Sequence, residues 1–141
     1  MRLPILPTVP HIWRVVLTIL FALTIPALSL LPSPFFAAVT PSIVGRFPMA
    51  DKEVHVILYS ILTGLMIWTA TAASVAPVSR RRFFFLACAA TAYGLLMEWF
   101  QGFTATRSCD LGDGLANASG AFLMAEAAFR LIRRCGKRSG R

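Results

Sequence analysis

The run DKEVHVILYS, residues 51–60, gathers Asp51, Lys52, Glu53 and His55 and then turns apolar. Asp51, His55 and Tyr59 recur at i, i+4 and i+8, so a helix would present them on one face. Glu98 and Gln101 stand three apart, with Gly94 one turn earlier, and Asp110, Asp113, Asn117 and Gly120 again follow a single helical face. Carboxylates around one imidazole can move protons by general acid–base chemistry. They can also hold a divalent cation through oxygen and nitrogen donors. Lys52 and Arg107 add cationic groups suited to a phosphate or carboxylate.

These groups must be positioned by unusually apolar elements. The 141 residues are 57% hydrophobic and 14% charged, with a mean hydropathy of +0.69, whereas a soluble domain carries about 25% charged residues. A bilayer core of about 30 Å needs about 20 apolar residues in helical form. Four segments meet that need, at about 13–32, 53–76, 83–103 and 111–132. The expectation is an all-α membrane protein, a single membrane domain over residues 1–141 forming a four-transmembrane-helix bundle, with a basic tail at 133–141. The first run is long, contains Pro26 and lacks a clean small-x-small cleavage site, so it is read as a retained helix and not a signal peptide.

Lys and Arg placement orients the bundle, because cytoplasmic loops retain positive charge during insertion. Eleven basic residues fall on one side: Arg2, Arg14, Arg80, Arg81, Arg82, Arg130, Arg133, Arg134, Lys137, Arg138 and Arg141. Only Arg46, Lys52 and Arg107 fall on the other. Both termini are therefore expected in the cytoplasm, with a long outer loop at about 32–50 and a short one at about 104–109. Insertion bias explains the net charge of +8, and no stacking aromatics interleave the basic cluster, so nucleic acid is not an expected partner.

On this topology every acidic residue except Glu126 reaches the outer side. The rise of about 1.5 Å per residue lifts Glu98 roughly 22 Å from the inner end of its helix, into the outer third of the membrane. Ionisable groups at such depth face the bundle interior or a wet cavity and pair with one another. The economical arrangement is one outward-opening pocket, with Gly94, Ala116 and Gly120 letting the helix backbones approach beneath it.

Structural roles compete with chemical ones. Asp51 could cap a helix and Lys52 could snorkel to headgroups. His55 could pair with Asp51, and Tyr59 is read as a core or interfacial aromatic that hydrogen-bonds a neighbour. Glu98 could form an ion pair with Arg107, Lys52 or His55, and Asp113 and Asn117 could cap a helix or glue helices together. Glu126 precedes Arg130 by four residues and reads as a local pair. Cys88, Cys109 and Cys135 fall at three different depths, so no internal disulfide is expected. No Gly-rich phosphate loop, G-x-S-x-G elbow or H-E-x-x-H pattern is present.

DKEVHVILYSILTGLM, YGLLMEWFQGF and TRSCDLGDGLANASGAF together resemble the VanZ-like family of small bacterial membrane proteins, over about residues 51–122. The family pattern, D-K-x-x-H…Y, E-x-x-Q, R, D-x-x-D and N-x-x-G-A, maps onto Asp51, Lys52, His55, Tyr59, Glu98, Gln101, Arg107, Asp110, Asp113, Asn117 and Gly120. The resemblance implies a multi-pass protein of the bacterial cytoplasmic membrane and an accessory role in the cell envelope of the teicoplanin-resistance kind. It brings no established biochemical activity.

Two functions are consistent with these residues. One is an accessory factor whose pocket binds an anionic lipid headgroup, a lipid-linked cell-wall precursor or a glycopeptide, with Lys52, Arg107 and Arg46 holding the anion. The other is a membrane enzyme that remodels such a lipid, with His55 and Glu98 as the acid–base pair and Asp51 orienting His55. No cofactor is expected; the metal alternative is a divalent cation held by Asp51, His55, Glu98 and Asp113.

Overall fold

The computed structural model describes residues 9–29, 50–72, 79–104 and 110–138. They fold into four helices: α1 (His11–Ser29), α2 (Ala50–Ala72), α3 (Arg80–Gln101) and α4 (Leu111–Arg138). Among the described residues there is no other regular secondary structure. Helices α1, α2 and α3 are long and apolar enough to cross a membrane. Helix α4 has the length, but Asp113 and Glu126 interrupt its apolar surface and its last turns are strongly basic.

Element boundaries depart from the sequence reading in instructive ways. Helix α3 starts at Arg80 because Ser79, in extended backbone, accepts a hydrogen bond from the Arg82 amide at 3.3 Å and so caps the helix. Helix α4 continues to Arg138, through most of the expected tail, since Arg and Lys are good helix formers. Helix α2 begins at Ala50, which places Asp51 inside the first turn and corrects its reading as the residue before the helix. The long loop at 32–50, including Arg46, lies almost entirely outside the described residues, as do Arg107 and Cys109.

The helices alternate in direction. At one end, the start of α1 meets the end of α2: the Arg14 guanidinium donates to the Trp68 carbonyl at 3.2 Å and lies over the Trp68 ring. At that same end the start of α3 meets the later part of α4, where Arg80 pairs with Glu126 and Phe83 packs edge-on against Phe129. Glu126 also pairs with Arg130 at 2.7 Å, as its spacing implied. The start of α1 and the end of α4 therefore share one end of the bundle. The opposite end gathers the starts of α2 and α4 and the end of α3.

Helix α4 packs most extensively on α2 and next on α3, while α1 lies against α2. The α2–α4 contact depends on Gly120. A Cβ there would strike the Val56 carbonyl, with the Val56 Cα only 3.0 Å away, so only a bare backbone permits the approach. Ser60 Oγ then donates to the Gly120 carbonyl at 3.0 Å.

Pro26 shows how a local defect is repaired by a neighbour. Proline lacks the N–H that would bond the carbonyl four residues earlier, which belongs to Ala22. The Tyr93 hydroxyl of α3 donates to that carbonyl at 2.7 Å. Where no water reaches, such freed backbone groups need a partner from another helix.

The helices bury an apolar core and also present apolar side chains to their surroundings. Leu17, Leu20, Leu23, Ile57, Leu95, Trp99, Leu115 and Leu123 face outward, while His55, Thr63, Glu98, Gln101, Asp113 and Asn117 are buried. A large exposed apolar surface demands an apolar surrounding, and polar groups of a membrane protein turn inward.

Candidate functional site

The buried polar residues form one cluster where the start of α2, the end of α3 and the start of α4 converge. Helix α4 is launched by Asp110, whose carbonyl accepts from the Asp113 and Gly114 amides and whose Oδ1 accepts from the Gly112 amide at 2.7 Å. This capping arrangement satisfies donors that a helix start leaves free. The second carboxylate oxygen of Asp110 accepts from Lys52 Nζ at 2.8 Å. That ammonium also reaches Asp113 Oδ1 at 3.0 Å. Lys52 therefore ties the start of α2 to the start of α4. Its ammonium also holds the Asp110 carboxyl below the usual carboxylate range, with help from the Gly112 amide.

One turn deeper stands His55. Its Nδ1 lies 2.8 Å from Asn117 Oδ1. An amide oxygen can only accept, so Nδ1 is the nitrogen that donates in this contact. Nε2 lies 4.0 Å from Asp113 Oδ2, the oxygen that Lys52 does not hold. On the other side, His55 Nδ1 is 3.8 Å from Glu98 Oε1.

Glu98 is 3% exposed, and neither of its oxygens has a hydrogen-bond partner among the described residues. Asn117 Nδ2 and the Tyr59 hydroxyl, both fully buried, are likewise unpartnered. Leaving a buried polar group unpaired costs about 1–3 kcal/mol, and here several such groups occupy neighbouring positions. Gly94 keeps them together, since a Cβ at that position would lie 2.8 Å from Asn117 Nδ2 and 2.9 Å from the Tyr59 ring. Gln101 is buried one turn beyond Glu98.

The geometry assigns several of the expected residues to specific contacts. Asn117, from α4, holds His55; the Asp51 side chain lies outside the described residues. Lys52 is engaged by two carboxylates, those of Asp110 and Asp113. Tyr59 makes no hydrogen bond through its hydroxyl among the described residues. Asp110 is exposed and marks the rim, whereas Asp113 is buried. The cluster is therefore richer in acceptors than in available cations.

The sequence reading treated Asn117 as one polar wall residue among several and missed its positioning of His55. The i, i+4 spacing with Asp113 was the signal available, but the partner on α2 depends on helix packing. No family model, no curated protein and no solved structure matches the chain.

Proposed function

We propose that the chain is a multi-pass protein of the bacterial cytoplasmic membrane, a four-span bundle with both termini in the cytoplasm. On this reading it is a VanZ-like cell-envelope accessory factor whose outer polar cluster binds the headgroup of an anionic lipid or a lipid-linked cell-wall precursor. The topology draws support from the basic residues at the end shared by Arg14, Arg80 and Arg130. Of the residues that carry the family resemblance, Lys52, His55, Tyr59, Glu98, Gln101, Asp113, Asn117 and Gly120 lie on three helices, and His55, Tyr59, Glu98, Asp113 and Asn117 fall in one cluster.

The observation that carries the binding reading is the pair of buried, unpartnered Glu98 oxygens beside the unpartnered Asn117 amide and Tyr59 hydroxyl. A headgroup with hydroxyl or amine donors would supply the missing hydrogen bonds. Native mass spectrometry of gently extracted protein tests this. Wild type and Glu126→Gln retain a defined lipid or precursor, and Glu98→Gln loses it. The same lipid complement on all three proteins would refute the reading.

The approach of His55 to Glu98, 3.8 Å, favours a second reading. In it, the two groups act as an acid–base pair on the bound lipid, with Asn117 fixing the imidazole. Turnover would then vanish in Glu98→Gln while the unaltered lipid stays bound.

A further inference from the structure

We propose that His55, Glu98 and Asp113 form a binding site for one divalent transition-metal ion of the Zn²⁺–Mn²⁺ class. One donor atom from each residue lies within 4.8 Å of a donor from each of the others, and all three residues are buried. Ligands about 2.0–2.2 Å from a common ion stand about 3–4 Å apart, so these donors, some at 3.8 and 4.0 Å and all within 4.8 Å, need to close by only a fraction of an ångström to surround one ion.

The groups around the triad are arranged as supports for metal ligands. A ligating imidazole needs its second nitrogen tied to an acceptor, which fixes the tautomer and aims the free lone pair. Asn117 Oδ1 does this for His55 Nδ1, and Nε2 is then turned toward Asp113. A ligating carboxylate is itself held by a hydrogen bond. Lys52 does this for Asp113, binding Oδ1 while Oδ2 faces His55 Nε2. Glu98, nine-tenths buried and more, brings two oxygens that accept no hydrogen bond among the described residues. A cation supplies what these acceptors lack.

One nitrogen with two carboxylates is a mixed donor set. Imidazole suits Zn²⁺ and its neighbours, and carboxylate suits Mn²⁺ as well as harder ions. Three protein ligands leave coordination positions open for water or an incoming oxygen. The inference rests on reading the cluster as a binding site and deepens it, since the ion would give an acceptor-rich pocket the positive charge that an anionic headgroup needs. Metal uptake and lipid retention are measured separately, so either can fail alone.

The test is equilibrium binding of Zn²⁺ alone to the full-length protein, stripped with chelator and held in detergent, with metal content read by plasma mass spectrometry. Wild type and Glu126→Gln take up one ion per chain, while Glu98→Gln and Asp113→Asn lose that stoichiometric ion. Asn117→Leu, which frees His55 without removing a ligand, weakens affinity by about 10–100-fold, as loss of a supporting hydrogen bond does. Co²⁺ loaded into wild type reports the donor set directly through its visible spectrum, which keeps the proposal testable if a variant fails to fold. A folded wild type that binds no Zn²⁺, Zn²⁺ uptake unchanged in both carboxylate variants, or a Co²⁺ spectrum without a nitrogen donor would each overturn the proposal.

Discussion

His55 of α2 and Asn117 of α4 meet through a 2.8 Å hydrogen bond between Nδ1 and Oδ1, both side chains buried. The bond joins residues 62 apart in sequence and decides which imidazole nitrogen is free. Replacing Asn117 by leucine removes that constraint. It also leaves a buried ring N–H unpaired, at a cost of about 1–3 kcal/mol. Nitrogen-15 NMR of labelled histidine should show a single Nδ1-protonated tautomer for His55 in wild type and a mixture in the variant.

Gly120 should be the least replaceable glycine in the α2–α4 contact. Gly120→Ala drives a methyl group into the Val56 backbone, which cannot swing aside as a side-chain end would, and overpacking of this kind costs about 1–3 kcal/mol. Gly64→Ala is the matched control, because its new Cβ would meet Met124 only at ordinary contact distance, 3.6 Å. Thermal unfolding in detergent should fall clearly for the first and stay near wild type for the second.

Tyr93 and Pro26 should be energetically coupled. Tyr93→Phe removes the donor to the Ala22 carbonyl and should cost about 1 kcal/mol alone. Once Pro26→Ala restores the backbone N–H, that carbonyl has its own helical partner. The double variant should then lose less than the single Tyr93→Phe change predicts from additivity. Additive stabilities would show that the hydroxyl does not repair the proline gap.

The rim contact between Lys52 and Asp110 should be acid-sensitive. Lys52 and then the Gly112 amide lower the Asp110 pKa in the folded chain below its ordinary value of 3.8. A depressed carboxylate pKa stabilises the fold above the unfolded pKa, and that stability is lost as pH falls through the folded value. Wild type should therefore exceed Asp110→Asn in melting temperature at neutral pH, and the gap should close below about pH 4. A gap that persists in acid would mean the charge of Asp110 does not hold the rim.

Much of the architecture was legible in the residues themselves. Charge-poor runs located all four helices of the described residues, because apolar length is a local property that survives any packing. The i, i+4 order of Glu126 and Arg130 likewise found its partner, since both lie on one helix. Gly94 and Gly120 stood out as small residues on polar faces, and both sit at close approaches. Boundaries were less legible: Ser79 and Asp110 cap their helices through side-chain hydrogen bonds that hydropathy does not register.

The sequence by itself determined an apolar helical protein with three separate polar faces, because side-chain spacing along a helix is fixed by backbone geometry. Only the tertiary structure decided how those faces pair: Lys52 with two aspartates, His55 with Asn117, and Glu98 beside His55 with no hydrogen-bonding partner among the described residues. Those hydrogen-bonded pairs join residues 58 to 62 positions apart. They depend on how far α2, α3 and α4 slide and rotate against one another, which is set by packing at Gly94 and Gly120 and by no local preference of the chain.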